Sequence, residues 1–540
     1  MESHNFQMDK HKADQGSEVI QPSHNHVLPE DTKLGDIDKS LQAGELTMEE
    51  DTAGGMGRHL GLFSTTLLIL GRIIGTGIFS TPSSITKSTG SVGAALLIWV
   101  LGFAISMAGM FVWLEFGSMF PRSGGEKVYL EASYRYPKSL ATVVYAVYTV
   151  SLGFTATGAI SFASYMWVAG NKTSSEWQQR GVAAAAVAGT CLIHSFAPRF
   201  GIMFMNAISS LKVFTLLFLI VSGWAVMGGA ISKEKIPDPF ASFENAFEGS
   251  SRGGNAYATA LFKVLFAFAG WQNAAYVLNE VKDPVRTLRI AGPVALTISG
   301  VLYLLANVSY YAAGTPAEIS KSGVTVAAYF FETVFNDVAK RAFSVLIAFS
   351  ALGNVMTVTY AHSRINQELA KEGVIPFPQF WASTWPFGAP SAGLLLHFIP
   401  SFIMIVGVPF GDAYNFIINI EGYARSILFL LVVTGLFWLR KTKPLAHRPI
   451  RVWLPVAVLF LVGQAFLLVA PFLAPDKGTS DTRIVYWAYP LVGISVIIAG
   501  VIYWFIWKKA LPKLFNYQLK EGKQVLEDGT VVTRFLKVAN

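Results

Sequence analysis

Gly71-Arg72-Ile73-Ile74-Gly75-Thr76-Gly77-Ile78-Phe79-Ser80 lies in the middle of the first long apolar stretch, about residues 60–85. A stretch of that length reads as a membrane-crossing helix, because about 20 apolar residues span the hydrocarbon core. Its centre is a poor choice for a simple anchor. Glycine weakens a helix by about 1 kcal/mol relative to alanine, and an arginine at mid-bilayer costs at least about 2.5 kcal/mol. Irregular backbone survives at that depth only where it is buried in protein or lines a watery cavity. The stretch therefore predicts a first crossing that is part of a working site.

Working outward, eleven further apolar segments follow, at about 92–119, 140–169, 181–197, 203–229, 257–279, 288–313, 342–361, 391–409, 413–438, 452–473 and 484–507. Apolar residues make up 52% of the chain and charged ones 14%, far from the balance of a soluble domain. The fold class is all-α and polytopic, with about twelve transmembrane helices. Residues 1–58 read as a disordered cytoplasmic tail, 59–508 as the transmembrane domain and 509–540 as a cytoplasmic C-terminal tail. The first tail is polar and acidic with few aromatics. It has no basic region leading into a short apolar core, so a cleavable signal peptide is not expected.

The formal net charge of +8 does not mark a nucleic-acid binder, because the basic residues lie in connections between crossings and form no groove-binding stripe. Cys191 is the single cysteine, which excludes an internal disulfide and a cysteine metal cluster. His194, His362 and His397 sit in different crossings without metal-ligand spacing, and no nucleophile motif is present. No metal, no cofactor and no enzymatic activity are expected.

An even number of crossings puts both termini on one side. The connections sharing that side carry most of the basic residues, among them Arg122, Lys127, Arg135, Lys138, Arg440, Lys441, Lys443, Arg448 and Arg451. The positive-inside rule places that side in the cytoplasm. Asn171-Lys172-Thr173 is then an extracellular glycosylation sequon, whereas Asn307-Val308-Ser309 lies inside a crossing. The connections at about 230–256 and 314–341 are long enough for short amphipathic helices. Glu527-Asp528-Gly529-Thr530 between β-branched residues can turn a hairpin, either docked or free.

The sixth segment repeats the opening anomaly in Phe266-Ala267-Phe268-Ala269-Gly270-Trp271-Gln272-Asn273. Segments 1 and 6 correspond if crossings 1–5 and 6–10 are two halves, and interrupted helices in corresponding positions point to a transporter's substrate site. An unwound turn frees N–H groups, which suit a carboxylate, and carbonyls, which suit an ammonium. A zwitterionic amino acid satisfies both ends. Gly71 and Gly75 also form a GxxxG helix-packing pair, but packing alone does not account for the second interruption.

Intramembrane charges are functional candidates. Lys212 in segment 5 either snorkels to the cytoplasmic interface or serves the site. Lys263, near the outer end of segment 6, reads as snorkelling. Arg72 needs a partner or a watery cavity, with Glu115 and Glu280 as candidate partners. Glu421 and Arg425 stand i,i+4 in segment 10, where they can neutralise each other or act as a gate or substrate contact.

At these residues the chain resembles the amino acid–polyamine–organocation superfamily, in its L-type amino acid transporter branch, and most of all the fungal high-affinity methionine permeases. The resemblance runs through Gly75-Thr76-Gly77-Ile78-Phe79, Glu115-Phe116-Gly117, Pro121-Arg122-Ser123-Gly124-Gly125-Glu126-Lys127, Asn279-Glu280-Val281-Lys282-Asp283-Pro284-Val285-Arg286-Thr287-Leu288, Ser350-Ala351-Leu352-Gly353-Asn354-Val355, Glu372-Gly373-Val374-Ile375-Pro376-Phe377 and Gly411-Asp412-Ala413-Tyr414. It implies a LeuT-type fold of two inverted five-helix repeats, with helices 1 and 6 broken, plus two further helices. It implies a plasma-membrane permease importing methionine, or related neutral or sulfur-containing amino acids, by alternating access with proton coupling.

By the same likeness the substrate ammonium meets carbonyls at Ile73, Phe266, Ala267 and Ala269. The carboxylate meets Gly75, Thr76 and Gly77, Phe266 is the gating aromatic, and Lys212 replaces a sodium ion between crossings 1, 5 and 8. Lys10, Lys12, Lys33 and Lys39 would accept ubiquitin through ligase adaptors, as in similar fungal permeases. Cys191 is not where animal L-type transporters join a heavy subunit, so no disulfide-linked partner is expected. The resemblance supplies no role for Glu421 and Arg425. A broader neutral amino acid exchanger and an amino-acid sensor that binds without net flux are the rival readings.

Overall fold

The computed structural model describes residues 61–539 except 121–123, 273–280, 282, 386–387, 410, 476–481 and 526–530. The N-terminal lysines, Arg122, Asn273, Glu280 and the turn at Glu527–Thr530 lie outside the described residues.

The described residues are mostly helical: α1 Leu62–Ile73, α2 Gly77–Ser80, α3 Pro82–Thr89, α4 Val92–Met119, α5 Glu126–Ser133, α6 Leu140–Leu152, α7 Ala156–Ala169, α8 Glu176–Phe196, α9 Pro198–Met227, α10 Gly254–Ala267, α11 Pro284–Ala313, α12 Asp337–Lys371, α13 Ser391–Gly407, α14 Ala413–Thr442, α15 Leu454–Val469 and α16 Ala488–Phe505. Among the described residues eight helical stretches are long and apolar enough to cross a membrane, and Leu211–Met227 and Ser391–Gly407 are shorter apolar helices. This is a multi-pass helical membrane protein.

Local chemistry explains the helix starts. Ser91 caps α4 by accepting the Ala94 N–H at 3.3 Å, and Ser175 and Gln178 form a reciprocal capping box on α8. Helix α4 buries Trp99, Ile105 and Met110 while leaving Leu97, Val100 and Leu101 exposed. A helix apolar on all sides belongs in lipid, where its outer face needs no polar cover.

Among the described residues three of the apolar segments are interrupted. The first stops at Ile73, bends through Ile74 (φ −69°, ψ 96°) and resumes at Gly77. The sixth stops at Ala267, and Gly270 follows in a positive-φ conformation at 125°. The third, which the sequence reads as one segment over 140–169, parts between α6 and α7 at Gly153 (φ −83°, ψ 55°). A Cβ on Gly153 would sit 2.3 Å from the Thr149 carbonyl oxygen and 2.5 Å from His362 Nδ1, so glycine fits where the chain turns beside that ring. The Thr155 N–H is then taken by Ser401 Oγ at 3.1 Å.

Glu115, fully buried on α4, accepts from Arg440 Nε at 3.0 Å and pairs a second time through the Arg440 Nη2 group. It also accepts the Val452 N–H at 2.8 Å and lies 3.5 Å from Arg448. Glu115 is thus committed to the far end of α14 and the connection after it, which corrects its candidacy as the partner of Arg72. Of that expectation only Glu280 is left, outside the described residues.

The long connections hold short helices at Ala241–Glu244, Pro316–Lys321 and Val326–Val334. Thr315 and Glu318 cap the second of these reciprocally, and the Thr315 hydroxyl and N–H hold the Glu318 carboxyl below its usual range. Past α16, strands β1 Tyr517–Val525 and β2 Val531–Ala539 pair antiparallel, from Tyr517↔Ala539 to Val525↔Val531. The hairpin is docked. Glu521 pairs with Lys138 at 3.0 Å, Lys508 lies 3.7 Å from the Phe535 ring centre, and Gly373 (φ 71°) leaves room for the Thr533 carbonyl.

Candidate functional site

The interruptions of the first and sixth crossings meet. A Cβ on Gly77 would fall 2.5 Å from Ala267 Cα, and one on Gly270 would fall 2.8 Å from Arg72 Cγ. Glycine is required at both places because backbone from one break occupies the space beside the other. The residues named from sequence in segments 1 and 6 therefore form one cluster of Arg72, Ile73, Gly75, Thr76, Gly77, Phe266 and Ala267, with Ala269 beside it.

A tyrosine that sequence reasoning passed over ties the two breaks. Tyr303 on α11 is fully buried, and its hydroxyl stands 2.8 Å from the Ile73 carbonyl and 3.1 Å from the Ala267 carbonyl. The Phe266 carbonyl accepts the Ala269 N–H at 3.1 Å. Each of these carbonyls keeps a second lone pair for an incoming donor. The available signal for Tyr303 was a polar-tipped aromatic in the middle of a crossing, since a buried tyrosine hydroxyl needs a partner.

The opposite end of the first break holds the donors. Gly77 and Ile78 begin a helix, where N–H groups lack intrahelical acceptors. Thr76 is buried, and its hydroxyl makes no well-formed hydrogen bond among the described residues. Its polar neighbour is Tyr414 on α14, whose ring meets that of Phe266 edge to face at 6.5 Å. Asn354 on α12 backs the break, its amide 3.4 Å from the point where a Gly75 Cβ would be.

Lys212 is 1% exposed, with Nζ 3.5 Å from the Gly71 carbonyl. Its stem runs beside α12, with Cε 3.7 Å from where a Gly353 Cβ would be, an ordinary contact distance, while the close neighbour of that glycine is Ile208 Cγ2 at 2.5 Å. The lysine thus joins the first, fifth and eighth segments and does not snorkel. Nor does Lys263. It is fully buried with Nζ 3.5 Å from Ser88 Oγ on α3, which corrects the interfacial reading: the carbon stem points into protein.

Glu421 and Arg425 form the expected i,i+4 ion pair. Both line a cavity that also touches Phe266, Ala269, Ser106, Gln272 and Gln464. The pair therefore sits beside the sixth-crossing break. Asn171 lies exposed in a turn after α7 with φ 49°, and Asn307 is fully buried with its amide on the Tyr303 carbonyl at 2.7 Å. Among the described residues no group of three or more metal-type ligands occurs.

Comparison with known proteins gives a consistent likeness. The amino acid permease family matches residues 60–502. The chain is 36% identical over 524 residues to the high-affinity methionine permease of Saccharomyces cerevisiae, covering 95% of this chain and 89% of that one. It is 34% identical over 489 residues to the low-affinity methionine permease of the same yeast, covering 89% and 88%. The human b(0,+)-type amino acid transporter 1 is 27% identical over 505 residues, covering 92% and 97%.

Proposed function

The chain belongs to the amino acid permease family, whose members are transporters and not enzymes, and from that premise we propose that it imports methionine across the plasma membrane by alternating access, coupled to protons. The observation that carries this reading is the meeting of the two breaks, Gly77 against Ala267 and Gly270 against Arg72, with the Ile73 and Ala267 carbonyls at one Tyr303 hydroxyl; the reading assigns two sets of groups, the carbonyls of Ile73, Phe266, Ala267 and Ala269 and the donors of Gly75, Thr76 and Gly77. The first set takes the ammonium and the second the carboxylate.

The reading comprises twelve crossings in two inverted five-helix repeats plus two helices, with residues 1–58 and 509–540 in the cytoplasm and Asn171 glycosylated outside. The zwitterion replaces weak protein contacts at both breaks, and Phe266 closes over it. Lys212 holds the first crossing against the fifth and eighth in place of a cation. The thioether enters an apolar compartment, where sulfur–aromatic contacts contribute about 0.3–1.5 kcal/mol. Selectivity over leucine therefore comes mainly from shape. Likeness to two yeast methionine permeases supports the substrate.

Uptake of labelled methionine by permease-deficient cells tests the function. Saturable uptake that a protonophore collapses is the expected result. Correctly localised protein with no uptake contradicts import, binding without flux indicates a sensor, and influx driven only by internal amino acid indicates exchange.

A further inference from the structure

Glu421 stands out because the binding site does not require it. It lies eight residues into α14, about 12 Å along the helix at 1.5 Å per residue, and its side chain is only 15% exposed. A local ion pair at this depth is a weak device for stability, since the desolvation of both charges offsets most of their attraction. An intramembrane carboxylate calls for a functional account.

Its surroundings supply one. The cavity beside Glu421 and Arg425 has Phe266 and Ala269 of the sixth-crossing break on one wall and the polar side chains of Ser106, Gln272 and Gln464 on others. Ser106 is 1% exposed, and its hydroxyl has no partner among the described residues. The cavity is walled mainly by apolar side chains, but its volume of about 30 Å³ has room for a water among Ser106, Gln272 and Gln464 that would satisfy that hydroxyl. Water there gives a proton a route to the carboxylate.

The charged and titratable groups facing the pair come from several elements. Arg425 shares its helix, Arg72 acts on Glu421 from α1, and Tyr148 on α6 and Glu126 on α5 act on Arg425. His362 on α12 lies within electrostatic reach of both arginines, with His397 on α13 stacked behind it. Helices α4 and α15 present Ser106 and Gln464 to the cavity, beside the apolar Ile105 and Phe460. Tyr423 and Tyr489 meet the Phe262 ring edge to face, and Lys263 is turned to Ser88. The carboxylate thus has Arg425 within one helical turn and the cavity beside it.

We propose that Glu421 is the proton-carrying group of this permease, taking a proton from one face and releasing it at the other during each methionine import cycle. The claim rests on the proton-coupled reading above. The proton passes from extracellular water through the cavity to a Glu421 carboxylate oxygen. The neutral acid no longer holds Arg425, which keeps Tyr148 as a neighbour, and the central helices are then released to reorient with methionine aboard. The proton leaves to cytoplasmic water and the Glu421–Arg425 pair re-forms. One zwitterion and one proton cross together, so net transport carries one positive charge.

The test uses purified full-length protein in proteoliposomes, acidic outside, with labelled methionine. For one proton per methionine, a gradient of about one pH unit sustains about a tenfold concentration ratio. Glu421→Gln is expected to bring that ratio to about 1 while methionine–methionine counterflow, which needs no net proton movement, continues. Accumulation by Glu421→Gln equal to that of the unaltered protein overturns the proposal. If Glu421→Gln fails in both assays, Glu421→Asp decides: a displaced pH profile supports the assignment and an unchanged one refutes it. Absence of gradient-driven accumulation by the unaltered protein would instead remove the coupling reading itself, whatever the variants do.

Discussion

Two buried carboxylate–arginine pairs, Glu115 with Arg440 and Glu421 with Arg425, use the same chemistry in different settings. Glu115 is fully enclosed, joins residues 325 apart in sequence, and has its oxygens filled by a guanidinium, a second arginine and the Val452 N–H. Glu421 pairs within one helical turn and borders a cavity beside the sixth-crossing break. The first pair holds α4 to the end of α14. The second links elements less firmly but has room for its partners to change. Sealing, not charge, separates a structural pair from a working one.

The comparison breaks most readily at Glu115. Glu115→Gln leaves Arg440 buried with a neutral partner and is expected to destabilise the fold by about 3–5 kcal/mol, measured as a lowered unfolding temperature in detergent. Glu421→Gln, with its partner facing a cavity, is expected to lower that temperature far less. Equal losses would erase the distinction.

Gly77→Ala sharpens the contrast from the side of the substrate site. Its Cβ has no room against Ala267, and forcing backbone apart costs about 1–3 kcal/mol. Methionine uptake should fall roughly tenfold or more with the protein still folded, as judged by size-exclusion profile. Normal uptake would separate the two breaks functionally. Tyr303→Phe removes one hydroxyl that serves two carbonyls; a cost of about 1–2 kcal/mol predicts a fivefold to thirtyfold fall in kcat/KM, roughly, by the usual rate conversion.

The smallest effect belongs to the exposed cap. Thr315→Ala should cost about 1 kcal/mol of local helix stability, read by hydrogen exchange over Pro316–Lys321, with uptake unaltered. Because Thr315 holds the Glu318 carboxyl low, that contribution is in place at neutral pH. It fades as pH falls through the lowered value. A cap equally protected in acid would contradict the assignment.

What was legible in the sequence was whatever a short window records. Apolar runs marked the helices, and glycines at 71–77 and at 270 marked two interruptions because glycine is costly in a helix wherever it has no special task. The i,i+4 spacing of Glu421 and Arg425 predicted their pairing. The break at Gly153 was hidden because one glycine is a weak signal and the His362 ring packed beside it comes from another crossing. The engagement of Glu115 with Arg440, the burial of Lys263 beside Ser88 and the bridge made by Tyr303 were hidden for the same reason. Each is decided by tertiary neighbours, and periodicity carries no record of them.

The central claim is that the two meeting breaks grip both ends of a zwitterion. Competition against labelled methionine uptake in proteoliposomes tests it, using 3-(methylthio)propylamine, which lacks the carboxylate, and 3-(methylthio)propionate, which lacks the ammonium. Both keep the thioether. Unlabelled methionine should compete fully while each truncated compound fails at concentrations that saturate methionine. Competition by either compound as strong as that of methionine would mean that one of the two ends is not held.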